Sequence, residues 1–270
     1  TFKLKDQGDR DLALRYDLTV PLARVVAMNP TLKMPFRRYQ MGVVFRDGPL
    51  KAGRYREFTQ CDVDVIGALS VKQDAEIINL AIDAFKAINI KAKVEVNNRK
   101  ILDALMETAQ IPEDKRTTAI LSLDKLKKLG IEVVRKELQQ KGIFAEPIDN
   151  LCKWITIKGT NEQKIKELKK ILLNKQGLQE MEEVLSYAPD ATFEITLARG
   201  LAYYTGTVFE AFAEESTITS SIAGGGRYDN MIGLFKGSGS IAAVGISLGL
   251  DTVMDVLKAQ QKEVKKSVTQ

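Results

Sequence analysis

No histidine occurs among these 270 residues. That absence removes a Ser-His-Asp triad, histidine-ligated zinc and any histidine general base from the chain's own chemistry. Cysteine is almost as scarce. Cys61 and Cys152 are the only two and show no metal-ligand spacing. Two thiols establish no compartment, although a reduced, cytoplasmic one fits them. No apolar run approaches the roughly 18 residues of a membrane span, so none is expected. The opening "TFKLKDQGDR" lacks the apolar segment of a signal peptide and does not begin with Met, which fits a processed chain or a fragment. The glycine run at 224–226 matches neither GxxxxGK[ST] nor GxGxxG, so neither a Walker nor a Rossmann label is supported. Chemistry must therefore rest on Arg, Lys, Asp, Glu, Tyr, backbone groups or a bound ion.

What is present suffices for a sizeable core and one or two domains, at 44% apolar residues. The net charge of +5 is unevenly spread: residues 115–175 hold fifteen Lys or Arg against seven Asp or Glu, leaving the remainder at −3. A basic segment beside a slightly acidic remainder suits a polyanionic partner, and equally a lysine-rich solvated helix surface.

Along the chain, "DLALRY" (11–16) reads as a strand. "DLTVPLARVVAMNP" reads as a helix that Thr19 or Asp17 can cap, with Pro21 in its first turn and Asn29-Pro30 as its stop. "FRRYQMGVVFR" (36–46) and "GRYREFTQCDVDVIG" (53–67) flank the loop "DGPLKAG", which predicts an antiparallel hairpin with a long basic tip. An amphipathic helix follows at 70–89, with Ser70 and Gln73 as a capping box and Val71, Ile78, Ile82 and Phe85 on one face. A strand is expected at 91–97. Residues 98–187 read mainly as helices, with Gly130, Gly142, Pro147 and Gly159 as punctuation. Strands return at 192–198, 206–213, 218–223 and 241–247, and a last helix starts near 249. The pattern predicts an α+β fold, an antiparallel β-sheet flanked by helices with a helical insertion. The parts are a sheet-bearing core in two pieces, 1–97 and 188–258, around a basic insertion at 98–187, with a polar tail at 259–270.

The strand at 53–67 poses a question. Its alternation puts Tyr55, Glu57, Thr59, Cys61, Val63 and Val65 on one face, which is mostly packable, and Arg54, Arg56, Phe58, Gln60, Asp62 and Asp64 on the other. Solvent or a pocket could explain that polar face. Three further stretches could supply the rest of a pocket. Asp17 and Thr19 lie at a strand-to-helix turn; Arg199, Tyr203, Tyr204 and Thr205 lie on a Gly-bounded turn; and Gly224, Gly225 and Gly226 precede Arg227, Tyr228 and Asp229. Consecutive glycines allow close approach of a ligand, and taken alone read as a tight turn.

Together "RYDLTVPLAR", "GRYREFTQCDVDVIG", "RGLAYYTGTVFE" and "GGGRYD" resemble the signatures of the histidyl-tRNA synthetase family, in family order. The resemblance runs from about residue 1 to 257 and is weakest in the insertion. It implies a class II synthetase-like sheet that activates histidine with ATP and passes the histidyl group to tRNA(His). It also implies a cytoplasmic homodimer, with Mg²⁺ bound through the ATP phosphates and no protein metal cage. By resemblance, Arg46 holds the α-phosphate, for which a planar, permanently charged fork is suited. Phe58 underlies adenine, and Arg54 and Arg56 join the phosphate and substrate shell. Gln60, Asp17 and Thr19 accept from the substrate ammonium. Asp64 and Tyr204 face the imidazole, Tyr203 adjoins them in the histidine site, and Arg199 lies between the substrate carboxylate and the α-phosphate.

The sequence also departs from the family. "GLDT" (249–252) has Thr252 where the arginine on the γ-phosphate is expected; Arg46-Asp47-Gly48 replaces Arg-x-Glu; and Ala202 stands where Asp is usual. The dimer-interface signature is expected before residue 1 and an anticodon-binding domain after the last helix. Two readings follow: a catalytic-domain fragment, or a noncatalytic paralogue such as the regulatory subunit of ATP phosphoribosyltransferase. A third is an RNA-binding module using the basic insertion.

Overall fold

A computed structural model describes residues 1–199 and 203–260. Ala202 and residues 261–270 of the expected polar tail therefore lie outside the described residues. A short hairpin, β1 (Lys3–Lys5) and β2 (Asp11–Ala13), leads into α1 (Thr19–Met28). Then come β3 (Phe36–Phe45), β4 (Glu57–Ile66), α2 (Lys72–Ala87) and β5 (Ala92–Asn98). Seven helices follow: α3 (Arg99–Thr108), α4 (Glu113–Leu123), α5 (Leu126–Leu129), α6 (Ile131–Gln140), α7 (Ala145–Ile155), α8 (Asn161–Ile171) and α9 (Gln176–Tyr187). The chain closes with β6 (Thr192–Phe193), β7 (Thr207–Ala213), β8 (Ala223–Arg227), α10 (Met231–Lys236), β9 (Ala243–Gly249) and α11 (Leu250–Gln260).

The main sheet runs β3-β4-β9-β8-β7-β5-β6, antiparallel throughout except for the parallel β5–β6 edge. The expected hairpin is its first pair, in register from Phe36↔Ile66 to Phe45↔Glu57. One sheet face presents Val65, Val94, Val96, Phe209, Val244 and Ile246 to α2 and to the helices of 98–187, and the buried cluster is continuous across them. On the other face, Leu22, Ala23 and Val26 of α1 pack with Tyr228, Met231 and Ile232 against Ile66 and Val208. That cover is partial. The uncovered part of this face is the floor of a cavity.

Several local expectations are corrected. Asp17, not Thr19, supplies the oxygen at the start of α1, accepting from Val20 N at 3.0 Å. The capping box at Ser70 and Gln73 does not form: Ser70 Oγ accepts from Lys72 N, while Gln73 binds Arg37. Pro147 lies inside the first turn of α7, where its missing N–H costs nothing, rather than between elements. Arg54 and Arg56 precede β4, in a loop closed by the Lys51↔Arg54 bridge. Strand structure covers only 11–13 of 11–16 and 192–193 of 192–198, and the strand expected at 218–223 begins only at Ala223. The glycine run is therefore β-strand and not a turn, because neighbours on both sides satisfy its backbone.

Candidate active site

Residues directly opposite on neighbouring strands share a face. Two rows cross the uncovered face. One reads Gln40, Asp62, Ser247, Gly224, Glu210 and Glu95 across β3, β4, β9, β8, β7 and β5. The next reads Arg38, Asp64, Gly245, Gly226, Val208 and Asn97. Polar groups on β4 thus look across a trough of glycines. The trough needs them: a Cβ on Gly245 would sit 2.7 Å from Asp64 Cγ, and one on Gly224 would sit 2.7 Å from Arg199 Cζ.

This arrangement answers the question posed by β4. Its polar face is the buried one: Gln60, Asp62 and Asp64 are 5%, 2% and 2% exposed, while Thr59, Cys61 and Val63 are half-buried. Gln60 donates from Nε2 to Ser247 Oγ. Asp64 accepts from the Tyr228 hydroxyl at 2.6 Å and lies 3.1 Å from Arg38 Nη2. Gln60 Oε1 and Asp62 Oδ1 have no hydrogen-bond partner among the described residues. Buried acceptors without donors are costly unless a ligand supplies them.

Burial pushes the Asp64 carboxyl up to about 6, against the pull of Arg38 and the Tyr228 hydroxyl. Burial pushes Asp62 further, to about 7; the Ser247 hydroxyl and Arg38 oppose the rise, and the charges of Asp64 and Asp17 add to it. Tyr203 and Tyr204 pack with ring centroids 4.7 Å apart. Burial, with Tyr204 beside it, holds the Tyr203 phenol well above its ordinary range, so it is a neutral donor.

Ten of the eleven residues assigned to the site from sequence line one cavity of about 370 Å³: Asp17, Thr19, Arg46, Arg54, Phe58, Gln60, Asp64, Arg199, Tyr203 and Tyr204. The Arg46 guanidinium lies over Tyr16 at 4.6 Å and over Phe58 at 5.1 Å, close enough for cation–π attraction. Arg199 reaches Glu210 Oε1 at 2.9 Å, in the space left by Gly224. Arg56 does not join them. It donates to Gly48 O at 3.2 Å and is absent from the lining.

Sequence reasoning gave no site role to Tyr16, Ser247 or Tyr228, which also line the cavity, as does Thr252. Tyr228 lies inside a quoted signature, but its bond to Asp64 spans 164 positions, beyond the reach of any local pattern. Thr252 is buried and donates to Gly53 O at 3.1 Å. Beside it, Asp251 accepts from Thr59 N at 2.7 Å and Asp255 accepts from the Tyr55 hydroxyl at 2.5 Å. The start of α11 therefore fastens the loop that carries Arg54. Among the described residues, no group of three or more Asp, Glu or Cys side chains could hold a metal ion, and no helix is long and apolar enough to cross a membrane.

Residues 1–253 match the family profile described as histidyl-tRNA synthetase. The chain belongs to that family. Histidine–tRNA ligase 1 of a Bacillus cereus strain is 45% identical over 97% of this chain and 63% of its own length. The histidine–tRNA ligase of Aeropyrum pernix is 40% identical over 90% of this chain and 57% of its own. The chain thus spans less than two thirds of these curated relatives. The crystal structure of histidyl-tRNA synthetase from Nostoc sp. PCC 7120 superposes with a TM-score of 0.82 at 34% identity, over 96% of this chain and 62% of that one. A Bacillus halodurans structure described as an ATP phosphoribosyltransferase regulatory subunit/histidyl-tRNA synthetase gives 0.79 at 26%, over 94% and 68%. The histidyl-tRNA synthetase fold thus accounts for the antiparallel sheet and its cavity, and the β4 signature forms the cavity floor.

Proposed function

We propose that this chain forms the catalytic part of a histidine–tRNA ligase, activating histidine with ATP and passing the histidyl group to tRNA(His). The observation that carries this reading is the polarity of the cavity along β4. Arg46 and Phe58 stand at one end and Asp64 at the other, about 20 Å apart at a strand's rise per residue, with Gln60 between them. A ligand with a cationic amine and imidazole at one end and phosphates at the other matches that order.

In this reading Asp17, Thr19 and Gln60 take the substrate ammonium, and Gln60 Oε1 is already an unpaired acceptor. Asp64, oriented by Tyr228 and Arg38, and Tyr204 take the imidazole nitrogens, with Tyr203 packed behind. Arg46 and Arg54 face the phosphates. Arg199 holds the attacking carboxylate beside the α-phosphorus. Two anions must meet for the bond to form, and preorganised cations that screen them while charge builds on the nonbridging oxygens supply most of the rate. No protein nucleophile is required. Mg²⁺ would be held by the β- and γ-phosphates, which relieves charge at the leaving group.

The insertion at 98–187 is proposed to meet tRNA. Much of its basic excess is internally matched: Lys125 and Lys141 bind Glu137, Lys169 binds Glu182, Lys170 binds Glu167 and Lys164 donates to Phe193 O. Lys128, Lys136, Lys153, Lys158, Lys166 and Lys175 are exposed and have no bonded ammonium among the described residues, so these are the cations offered to a polyanion. β3 is an outer strand that exposes Tyr39 and Met41, and a second copy of the chain is the proposed cover; a cytoplasmic location suits these partners.

The test is histidine-dependent exchange of pyrophosphate into ATP, which needs no tRNA. Exchange above the histidine-free rate is the expected result. Histidine binding without exchange would favour the noncatalytic reading, which Thr252 in place of the expected arginine supports.

A further inference from the structure

The row of side chains that crosses the cavity floor continues beyond it. Glu210 on β7 and Glu95 on β5 are direct partners across the strand pair. Like charges so placed repel, and the Glu95 side chain is only 7% exposed. Cations meet this pair from two sides. From the cavity, Arg199 Nη1 lies 2.9 Å from Glu210 Oε1. From the insertion, Lys127 on α5 bonds Glu95 Oε2, lies 3.7 Å from Glu194 Oε2 and stands 5.7 Å from the Phe212 ring centroid. Lys93 Nζ also lies 3.2 Å from Glu95 Oε1, and the Lys93 and Lys127 side chains are similarly exposed, at 42% and 44%. A cation therefore flanks each end of the carboxylate pair, in the order Arg199, Glu210, Glu95, Lys127.

We propose that Lys127 is a positioning residue for Arg199, acting through Glu95 and Glu210. With Lys127 in place, Glu95 is met by two lysines, and Glu210 is the carboxylate that pairs with Arg199. Without it, a nearly buried Glu95 keeps only one of its two lysines, Lys93. The next cation across the strand pair is Arg199, which is then drawn towards β5 and away from the cavity. Displacement of a reacting group by even a fraction of its own size is felt strongly in rate. The array also gives the insertion a direct line to the arginine that acts on the α-phosphate. The inference rests on the role given to Arg199 above.

The test uses pyrophosphate exchange in the full chain, without tRNA. Lys127→Met should slow the saturated rate about tenfold while leaving both KM values within about twofold, the size expected of network couplings. Lys127→Arg should remain within about threefold of the parent, since it keeps the charge. Adding Glu95→Gln to Lys127→Met should return the rate to within about threefold, because no uncompensated carboxylate is then left. Circular dichroism confirms folding, and the double variant carries the test if the single one does not fold. A Lys127→Met protein at the parent rate, or a slow one that Glu95→Gln does not recover, overturns the proposal. A parent without exchange would count against the proposed function instead. The Arg199 Nε–H resonance, followed by 15N NMR, then decides: it should move in Lys127→Met and return in the double variant, and an unmoved resonance overturns the proposal.

Discussion

Asp62 is a carboxylate that almost no water reaches. Its carboxyl is 2% exposed, one oxygen lacks a partner, and burial lifts it from 3.8 to about 7. A folded-state pKa raised above the unfolded one means that the native chain binds the proton more tightly. Stability is then highest when Asp62 is protonated and falls as pH rises from about 4 through about 7. At about pH 8 a carboxyl lifted by about three pH units costs about 4 kcal/mol, and near pH 4 less than about 1. The charge on Asp64 contributes to that cost, so Asp62→Asn, which keeps the shape and removes the charge, should recover up to about 4 kcal/mol at pH 8. Urea unfolding of parent and variant at pH 4.5, 6 and 8 measures it. The stabilisation by Asp62→Asn should grow steadily across that series. A variant equally or less stable than the parent at pH 8, or a gain independent of pH, would refute the reasoning. It would show that a charge-satisfying partner meets Asp62 in the native state.

Two further outcomes follow from the same geometry. Gly224→Ala puts a methyl group against Arg199 Cζ, a flexible target, so the fold should survive while histidine-dependent exchange slows by about a hundredfold; exchange within threefold of the parent would remove Arg199 from the reacting centre. Reversing Lys153, Lys158 and Lys166 to Glu should weaken tRNA binding, flatten its salt dependence and leave exchange unchanged; equal tRNA affinity by filter binding at low salt would move the contact elsewhere.

The parts of the fold written in short-range pattern were legible. The β3–β4 hairpin follows from two alternating runs around a Gly-Pro loop, and α2 from a spacing that buries Ile78, Ile82 and Phe85 together. Nine of the ten lining residues were legible because they sit in three contiguous signatures whose order along the chain is the family's; the tenth, Arg46, follows the strand between the first two. What the local pattern left out is equally specific. Glycine in series signals permissive backbone, and only the neighbours of β8 decide that the permission is used for a strand floor. The capping box at Ser70 had the right letters, but Gln73 is recruited by Arg37 from across the sheet.

The deeper omission concerns charge. Counting Lys and Arg between 115 and 175 treats each as a cation offered to solvent. Lys127 instead completes an array that begins at Arg199, and Lys164 donates to the backbone of β6. A basic segment can therefore do two jobs that composition cannot separate. Lys127 and Lys164 tie the helices to the sheet, other paired cations bind the helices to one another, and the unpaired ones face outward. Lys127 meets the row of carboxylates that reaches the cavity arginine, so the segment proposed to meet tRNA is built into the electrostatics of the site it would serve. Replacing Lys127 tests that coupling without tRNA, and replacing Lys153, Lys158 and Lys166 tests tRNA contact without the coupling. The two sets of variants should separate cleanly, because no hydrogen bond or ion pair links them among the described residues.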